Sequence, residues 1–154
     1  MDQIYIERVE KVTQELLVAF ERLIPQLTQS PVPSAQDLQR LLDSPSILIL
    51  ARLPRFARND IASGQNSPIV GAATLGVFHT PSGTHAHVED VIVDEQFRGK
   101  KIGEALVRHL LQLAREMGLN GVSLTCNPRR TAANQFYLKL GFKKWDTNVS
   151  WYDL

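Results

Sequence analysis

The sequence predicts an α/β chain of the α+β kind, with a mixed, mostly antiparallel central sheet and helices on both faces. Three observations carry this. Residues 69–93 read as two strands joined at Thr80-Pro81-Ser82-Gly83, an antiparallel hairpin. Residues 88–126 read as strand–helix–strand, which requires a right-handed parallel crossover. Two helical patterns precede the first strand.

Residues 3–24 have helical period: Ile6, Val9, Val12 or Thr13, Leu16, Phe20 and Leu23 share one face, and Pro25 is expected to end the helix. Ser34 and Asp37 resemble a capping box and open a second helix to about Leu42. Residues 47–53 are a short apolar run, hence a buried strand. Residues 54–68 are polar and turn-rich, the expected mobile loop. Residues 69–78 form the next strand, with Gly71 and Gly76 as candidate bulge sites, and residues 84–93 return beside it. Ile102, Leu106, Leu110, Leu113 or Ala114 and Met117 make the clearest helical stripe, stopped by Gly118. Residues 121–126 read as a strand broken at Asn127-Pro128. Thr131 to Leu140 form a last helix stopped by Gly141, and Phe142 to Tyr152 a final strand or strand pair. The expected order is ααβββαβαβ.

The 154 residues suit a single domain, 1–154, with a sizeable core. A net charge of +1 gives no global reason to expect nucleic acid or a membrane surface as partner. One cysteine, Cys126, excludes an intrachain disulfide and a cysteine-built zinc site. No stretch is long and apolar enough to span a membrane and no secretory signal is legible, so the cytoplasm is expected. His79, His85 and His87 lack a matching set of carboxylate or thiol ligands, so no metal is expected.

The stretch EDVIVDEQFRGKKIGEAL, residues 89–106, carries the chemistry. An apolar strand (Val91, Ile92, Val93) runs into a loop holding Arg98, Gly99, Lys100 and Lys101. A helix opens at Ile102, Gly103 and Glu104. Helix N-termini present free N–H groups and partial positive charge, so this arrangement is a pyrophosphate cradle. Glu89 adds an acid–base group on the strand that feeds it.

These residues resemble the GNAT N-acetyltransferases. The signature of that superfamily, R/Q-x-x-G-x-G/A, falls on Arg98-Gly99-Lys100-Lys101-Ile102-Gly103, with Lys101 standing where glycine is common. A strand ending in Asn127 and the run ANQFYLKLGF (133–142) are similar to the segment that closes such domains. The resemblance covers about residues 45–152 and implies a GNAT-like acyl-CoA N-acyltransferase fold. Within the superfamily, the motif region is similar to the glucosamine-6-phosphate N-acetyltransferases, although GVFHTPSGTHAH (76–87) lacks the lysine and arginine that those enzymes carry there.

The resemblance implies transfer of acetyl from acetyl-CoA to an amine by direct attack. The acceptor is expected to be a small-molecule amine. Acetylation of a protein lysine or N-terminus, or a non-catalytic acetyl-CoA-binding role, are the alternatives. An aliphatic amine with a pKa of about 10.4 is neutral in only about one molecule in 10³ at pH 7, so a base is needed. Glu89 takes that role, directly or through water, with Asp90 as its competitor. A carboxylate near its usual pKa of about 4.3 is a weak base, so the role asks for burial. A backbone N–H of Val91, Ile92 or Val93 serves the developing oxyanion if a bulge frees it. Tyr137 donates a hydrogen bond to the leaving thiolate; without the resemblance it reads as a packing aromatic. Gly99, Lys100, Lys101, Gly103 and Glu104 lie along the pyrophosphate, chiefly through their amides. Lys101 needs φ > 0 or close approach if it follows the glycine it replaces. Arg98 binds phosphate or caps the loop. Asn127 and Asn134 bond the pantetheine arm or its surroundings, with a plain turn as the other reading of Asn127. Arg129 and Arg130 face the distal phosphate or are solvated. Apolar surface expected on the C-terminal strand (148–154) and the first helix points to a homodimer.

Overall fold

The computed structural model describes residues 4–53 and 67–154, so most of the expected loop 54–68 lies outside the described residues. The chain groups into two compact units, Met1–Leu124 and Thr125–Leu154. In the first unit the order is β1 (Tyr5–Arg8), α1 (Gln14–Leu27), α2 (Ala35–Leu42), β2 (Ile47–Arg52), β3 (Ile69–Thr80), β4 (Gly83–Val93) and α3 (Ile102–Glu116). The second unit contains α4 (Thr131–Lys139).

The first expected helix is corrected to a strand followed by a helix. Thr13 sets the helix start: its hydroxyl accepts from the Leu16 N–H at 3.2 Å, the N-cap bond that satisfies an orphan donor. Ahead of it, β1 pairs antiparallel with β2, Tyr5 opposite Arg52 and Arg8 opposite Ile49. Arg52 ties strand to helix, donating to Glu7 at 2.6 Å and to both Glu15 oxygens at 2.6 and 2.9 Å. The hydrogen bond to Glu15, and then that to Glu7, hold the guanidinium above the ordinary arginine pKa, against the burial that lowers it. Pro25 does not end α1. It falls in the last turn, where its missing N–H removes one ladder bond, and the helix continues to Leu27. The capping box is present: Ser34 Oγ accepts from the Asp37 N–H, and the Asp37 carboxylate accepts from the Ser34 N–H at 3.0 Å. The Ser34 hydroxyl, which also donates to the Asp37 carboxylate at 2.6 Å, and then the Ser34 amide lower the Asp37 pKa.

The four strands form one antiparallel sheet in the order β1-β2-β3-β4. Side-chain alternation splits the apolar residues between its faces. Leu48, Leu50, Ala72 and Ile92 pack with Leu16, Ala19, Phe20 and Leu23 of α1 and Leu38 of α2. On the other face α3 buries Ile102, Leu106, Val107, Leu110 and Ala114. Met117, expected on that stripe, is 43% exposed. Gly71 sets how deeply α3 seats. A Cβ there would lie 2.8 Å from the Ile92 carbonyl oxygen and 3.2 Å from Leu106 Cδ1. The register shift between β2 and β3 falls beside Gly71, whereas Gly76 pairs regularly with His87.

The parallel strand expected at 121–126 is reduced to one bridge, His87 with Ser123. The Val88 N–H donates to Ser123 O at 2.9 Å and the Ser123 N–H to Ala86 O at 3.1 Å. Val122 and Leu124 beside Ser123 are half-buried. Among the described residues the four-stranded sheet is antiparallel, and parallel pairing is confined to that one bridge. In the second unit, residues 142–152 form no strand. Among the described residues no helix is long and apolar enough to cross a membrane.

Candidate active site

Opposite Ala73 the ladder between β3 and β4 slips. Ala72 pairs with Ile92 and Thr74 with Glu89, so Asp90 and Val91 together face one residue. This is a β-bulge, and it bends the strand where the sequence placed the reacting groups. Asp90 adopts φ +49°, the left-handed conformation uncommon outside glycine and asparagine. The bulge shifts the strand's alternation, so Asp90 is not simply the opposite-facing twin of Glu89.

Backbone alternation then decides which amides are accessible. The Asp94 N–H donates to Val70 O at 2.9 Å, so residue 94 turns its peptide groups toward β3. Ile92, two residues back, does the same, while Val93 and Val91 turn theirs to the open edge. Arg98 supports this, since its Nε donates to the Val93 carbonyl at 3.1 Å. Of the three oxyanion candidates, Val91 and Val93 thus present amides outward. Ile92 is committed to the ladder and to the core, at 4% exposure. Arg98 caps the loop with the same bond, the second of its two expected roles.

The loop is built by two left-handed residues, Gly99 at φ +79° and Lys101 at φ +62°. Lys101 does adopt the conformation expected of the glycine it replaces. It is the N-cap of α3, and among the described residues it makes no side-chain capping bond. The first α-type bond runs from the Ala105 N–H to Lys101 O at 3.0 Å. The amides of Ile102, Gly103 and Glu104 therefore stand before the helical ladder, concentrated with the positive end of a 15-residue helix dipole. Lys100 lies over the Phe97 ring, 5.2 Å from its centroid. Glu104 pairs with Arg108 at 2.9 Å along the helix.

The loop is tied to α1 by residues that sequence reasoning did not single out. Asp94 is 1% exposed. It forms an ion pair with Arg22 of α1 and accepts the Gln96 N–H at 3.1 Å. Arg22 also donates to Ile69 O at 2.7 Å, and Gln26 Oε1 accepts the Glu95 N–H at 2.9 Å. The signal was faint but present: an aspartate directly after an apolar strand, two residues before a turn amide, is a natural cap.

Glu89 lies on β4 with its side chain 55% exposed, and its Oε1 is 3.4 Å from His87 Nε2. The burial that the base role asks for is thus not supplied by its neighbours on the strand. The other two histidines of the hairpin are engaged with hydroxyls: His79 with Thr84 at 2.9 Å and His85 with Thr80 at 3.0 Å. No group of three potential metal ligands gathers among the described residues. A cavity of about 580 Å³ lies between the hairpin tip and the C-terminal end of α3, lined by Phe78, His85, Met117 and Asn120 among others. It is a helix length, about 22 Å, from the Gly99–Lys101 loop, so it is not the cradle.

In the second unit, Asn127 Oδ1 accepts the Arg129 N–H at 2.9 Å. The Asn134 amide donates to Asn127 O and Arg130 O, both at 2.9 Å. These two asparagines build the turn that starts α4, the second reading of Asn127. The turn leaves Arg129 and Arg130 exposed. Tyr137 is half-buried on α4 against Phe136 and Phe142, at centroid distances of 5.1 and 5.7 Å.

Known proteins match this arrangement. The acetyltransferase (GNAT) family model matches residues 16–142. Glucosamine 6-phosphate N-acetyltransferase 1 of Oryza sativa subsp. japonica is 31% identical over 133 residues, covering 86% of this chain and 78% of that one. A crystal structure of a Trypanosoma brucei acetyltransferase aligns with a TM-score of 0.72 and 25% identity, over 99% of this chain and 100% of the other. An aminoglycoside acetyltransferase from an uncultured soil metagenomic sample, 21% identical, shares the fold at a TM-score of 0.77, covering 98% and 95% of the two chains. The match spans the bulged strand, the left-handed loop and the opening of α3 alike, and the chain is an acetyltransferase that belongs to the GNAT family.

Proposed function

We propose that the protein transfers an acetyl group from acetyl-CoA to the amine of a small molecule, by direct attack in a ternary complex. The observation that carries this reading is the opening of α3, where a left-handed Lys101 starts the helix beside a basic loop and the Ile102–Glu104 amides precede the first intrahelical bond. The pyrophosphate binds there, on Gly99, Lys100, Lys101, Ile102, Gly103 and Glu104. The outward amides of Val91 and Val93 serve the thioester oxygen as its charge develops. Glu89 accepts the proton of the amine, and the acceptor supplies the cover that Glu89 lacks. Asn127 and Asn134 act on the pantetheine arm through the turn they build.

The test is a panel of amines incubated with acetyl-CoA and followed by release of free thiol. Glucosamine 6-phosphate heads the panel, because relatives bear its name. Aminoglycosides, amino acids and a lysine peptide complete it. Turnover of one small amine well above the rest is expected. Activity confined to the peptide, or none with any amine, would overturn the reading.

Tyr137 serves the leaving group. Full proton transfer from a phenol of pKa about 10 to a thiolate of pKa about 8.5 is uphill by roughly 2 kcal/mol. Tyr137 therefore acts as a hydrogen-bond donor. Tyr137→Phe is expected to lower kcat about tenfold, the worth of a bond to a charged acceptor, while acetyl-CoA affinity holds. Unchanged kcat would remove Tyr137 from the mechanism.

Self-association belongs to the same reading. Trp145, Trp151 and Tyr152 of the C-terminal segment are 81%, 87% and 84% exposed. Such a concentration of aromatic surface marks an interaction site. A dimer mass is expected in sedimentation equilibrium at micromolar concentration, and a monomer would refute it.

A further inference from the structure

His87 is placed to act on Glu89. The two residues are separated by one position on β4, and their partners on β3 are Gly76 and Thr74, so their side chains share a face. His87 Nδ1 lies 2.8 Å from Ser123 Oγ, and Nε2 lies 3.4 Å from Glu89 Oε1. Ser123 is itself pinned: its amide donates to Ala86 O at 3.1 Å and its carbonyl accepts from Val88 at 2.9 Å. The backbone thus fixes the hydroxyl, the hydroxyl fixes the ring, and the ring turns its remaining nitrogen to the carboxylate. Exposure grades the same way, 23% for the His87 side chain against 55% for Glu89.

The proton inventory is consistent with this direction. Ser123 Oγ is also 3.4 Å from Ala86 O. If the hydroxyl donates to Nδ1, a neutral ring keeps Nε2–H for Glu89. If it donates to Ala86 O, it accepts from Nδ1–H, and Nε2 then carries a hydrogen only in the doubly protonated ring. The first arrangement, with the hydroxyl donating to Nδ1, points an N–H at Glu89 in a neutral ring.

We propose that His87, held by Ser123, is the positioning residue for Glu89: it steers the carboxylate toward the acceptor amine and makes no bond to substrate. The inference rests on Glu89 being the base. A base oriented by a third group is a recurring catalytic arrangement, and such contacts tighten from 3.4 Å when substrate closes the site.

The test is steady-state kinetics of His87→Ala, His87→Gln, Ser123→Ala and Glu89→Gln, with the Tm of each recorded. His87→Ala is expected to lower kcat about tenfold with the acetyl-CoA KM within about twofold. His87→Gln, whose amide nitrogen can stand in for Nε2, should recover most of that loss. Ser123→Ala should cost about threefold, and combining it with His87→Ala should cost nothing more. Unchanged kcat in His87→Ala, a defect confined to the acetyl-CoA KM, or His87→Gln as impaired as His87→Ala would each overturn the proposal. Should His87→Ala fail to fold, His87→Gln and Ser123→Ala decide by the same readouts. Glu89→Gln separates the two levels. If it turns over like the parent, the base assignment itself fails. If it is impaired while His87→Ala is not, only the positioning role fails.

Discussion

Glu89→Gln is expected to lower kcat by about 10²–10³, with little change in the acetyl-CoA KM. A hundredfold loss is about 2.7 kcal/mol of transition-state stabilisation. The substitution isolates one property: glutamine fills the same space and can accept a bond from His87 Nε2, but it cannot take a proton. Because the proposed cradle, Gly99 to Glu104, lies beyond the bulge, cofactor binding should not notice the change. The pH dependence of kcat/KM should lose its acidic limb, since that limb reports ionisation of the base. An unaltered profile would transfer the role to Asp90 or bulk water. Asp90 is the weaker candidate on geometry, because its left-handed φ of +49° makes it the hinge of the bulge.

The placement of Glu89 and of the loop at Gly99–Glu104 was legible in the sequence because both ride on one continuous stretch. Residues 89–104 form strand, loop and helix in the expected order, and even the left-handed Lys101 followed from its position in the signature. Two things were not legible. The bulge depends on how β4 registers against β3, a pairing between strands that neither sequence fixes alone. The spacing of His87 and Glu89 was readable, but the contact of His87 with Ser123 was not. Ser123 is brought to His87 by one bridge from a segment 36 residues away. The fold shows the same division. Helices with caps, such as α2 at Ser34, were found from their own residues. Tyr5–Arg8 was misread because Ile6 and Val9 fit a helical period, while its pairing partner, Ile49–Arg52, lies far along the chain. Residues 121–126 and 142–152 have strand-like composition without a ladder to join, and composition does not reveal that.

Asp94→Asn is expected to destabilise the protein by about 3 kcal/mol, the lower end of the cost of breaking a buried ion pair. For a chain of this size that corresponds to a fall in Tm of roughly 6–12 °C. The lower end applies because the two partners differ in burial: the Asp94 side chain is 2% exposed and that of Arg22 42%. Freed Arg22 can reach water, whereas the amide left at position 94 cannot. Stability is half of the expectation. Asp94 closes β4, caps the turn at Gln96, and with Gln26 ties the start of the loop to α1. The loop's other end is the N-cap of α3. A loosened anchor should therefore raise the acetyl-CoA KM several-fold at temperatures where the protein remains folded. Arg22→Lys makes the comparison sharper. Lysine keeps the charge but cannot also bridge to Ile69 O, so it should recover part of the stability and less of the KM. A variant at Asp94 that melts early yet binds acetyl-CoA normally when folded would show that the ion pair supports the fold alone, and that the loop is held by its own left-handed residues.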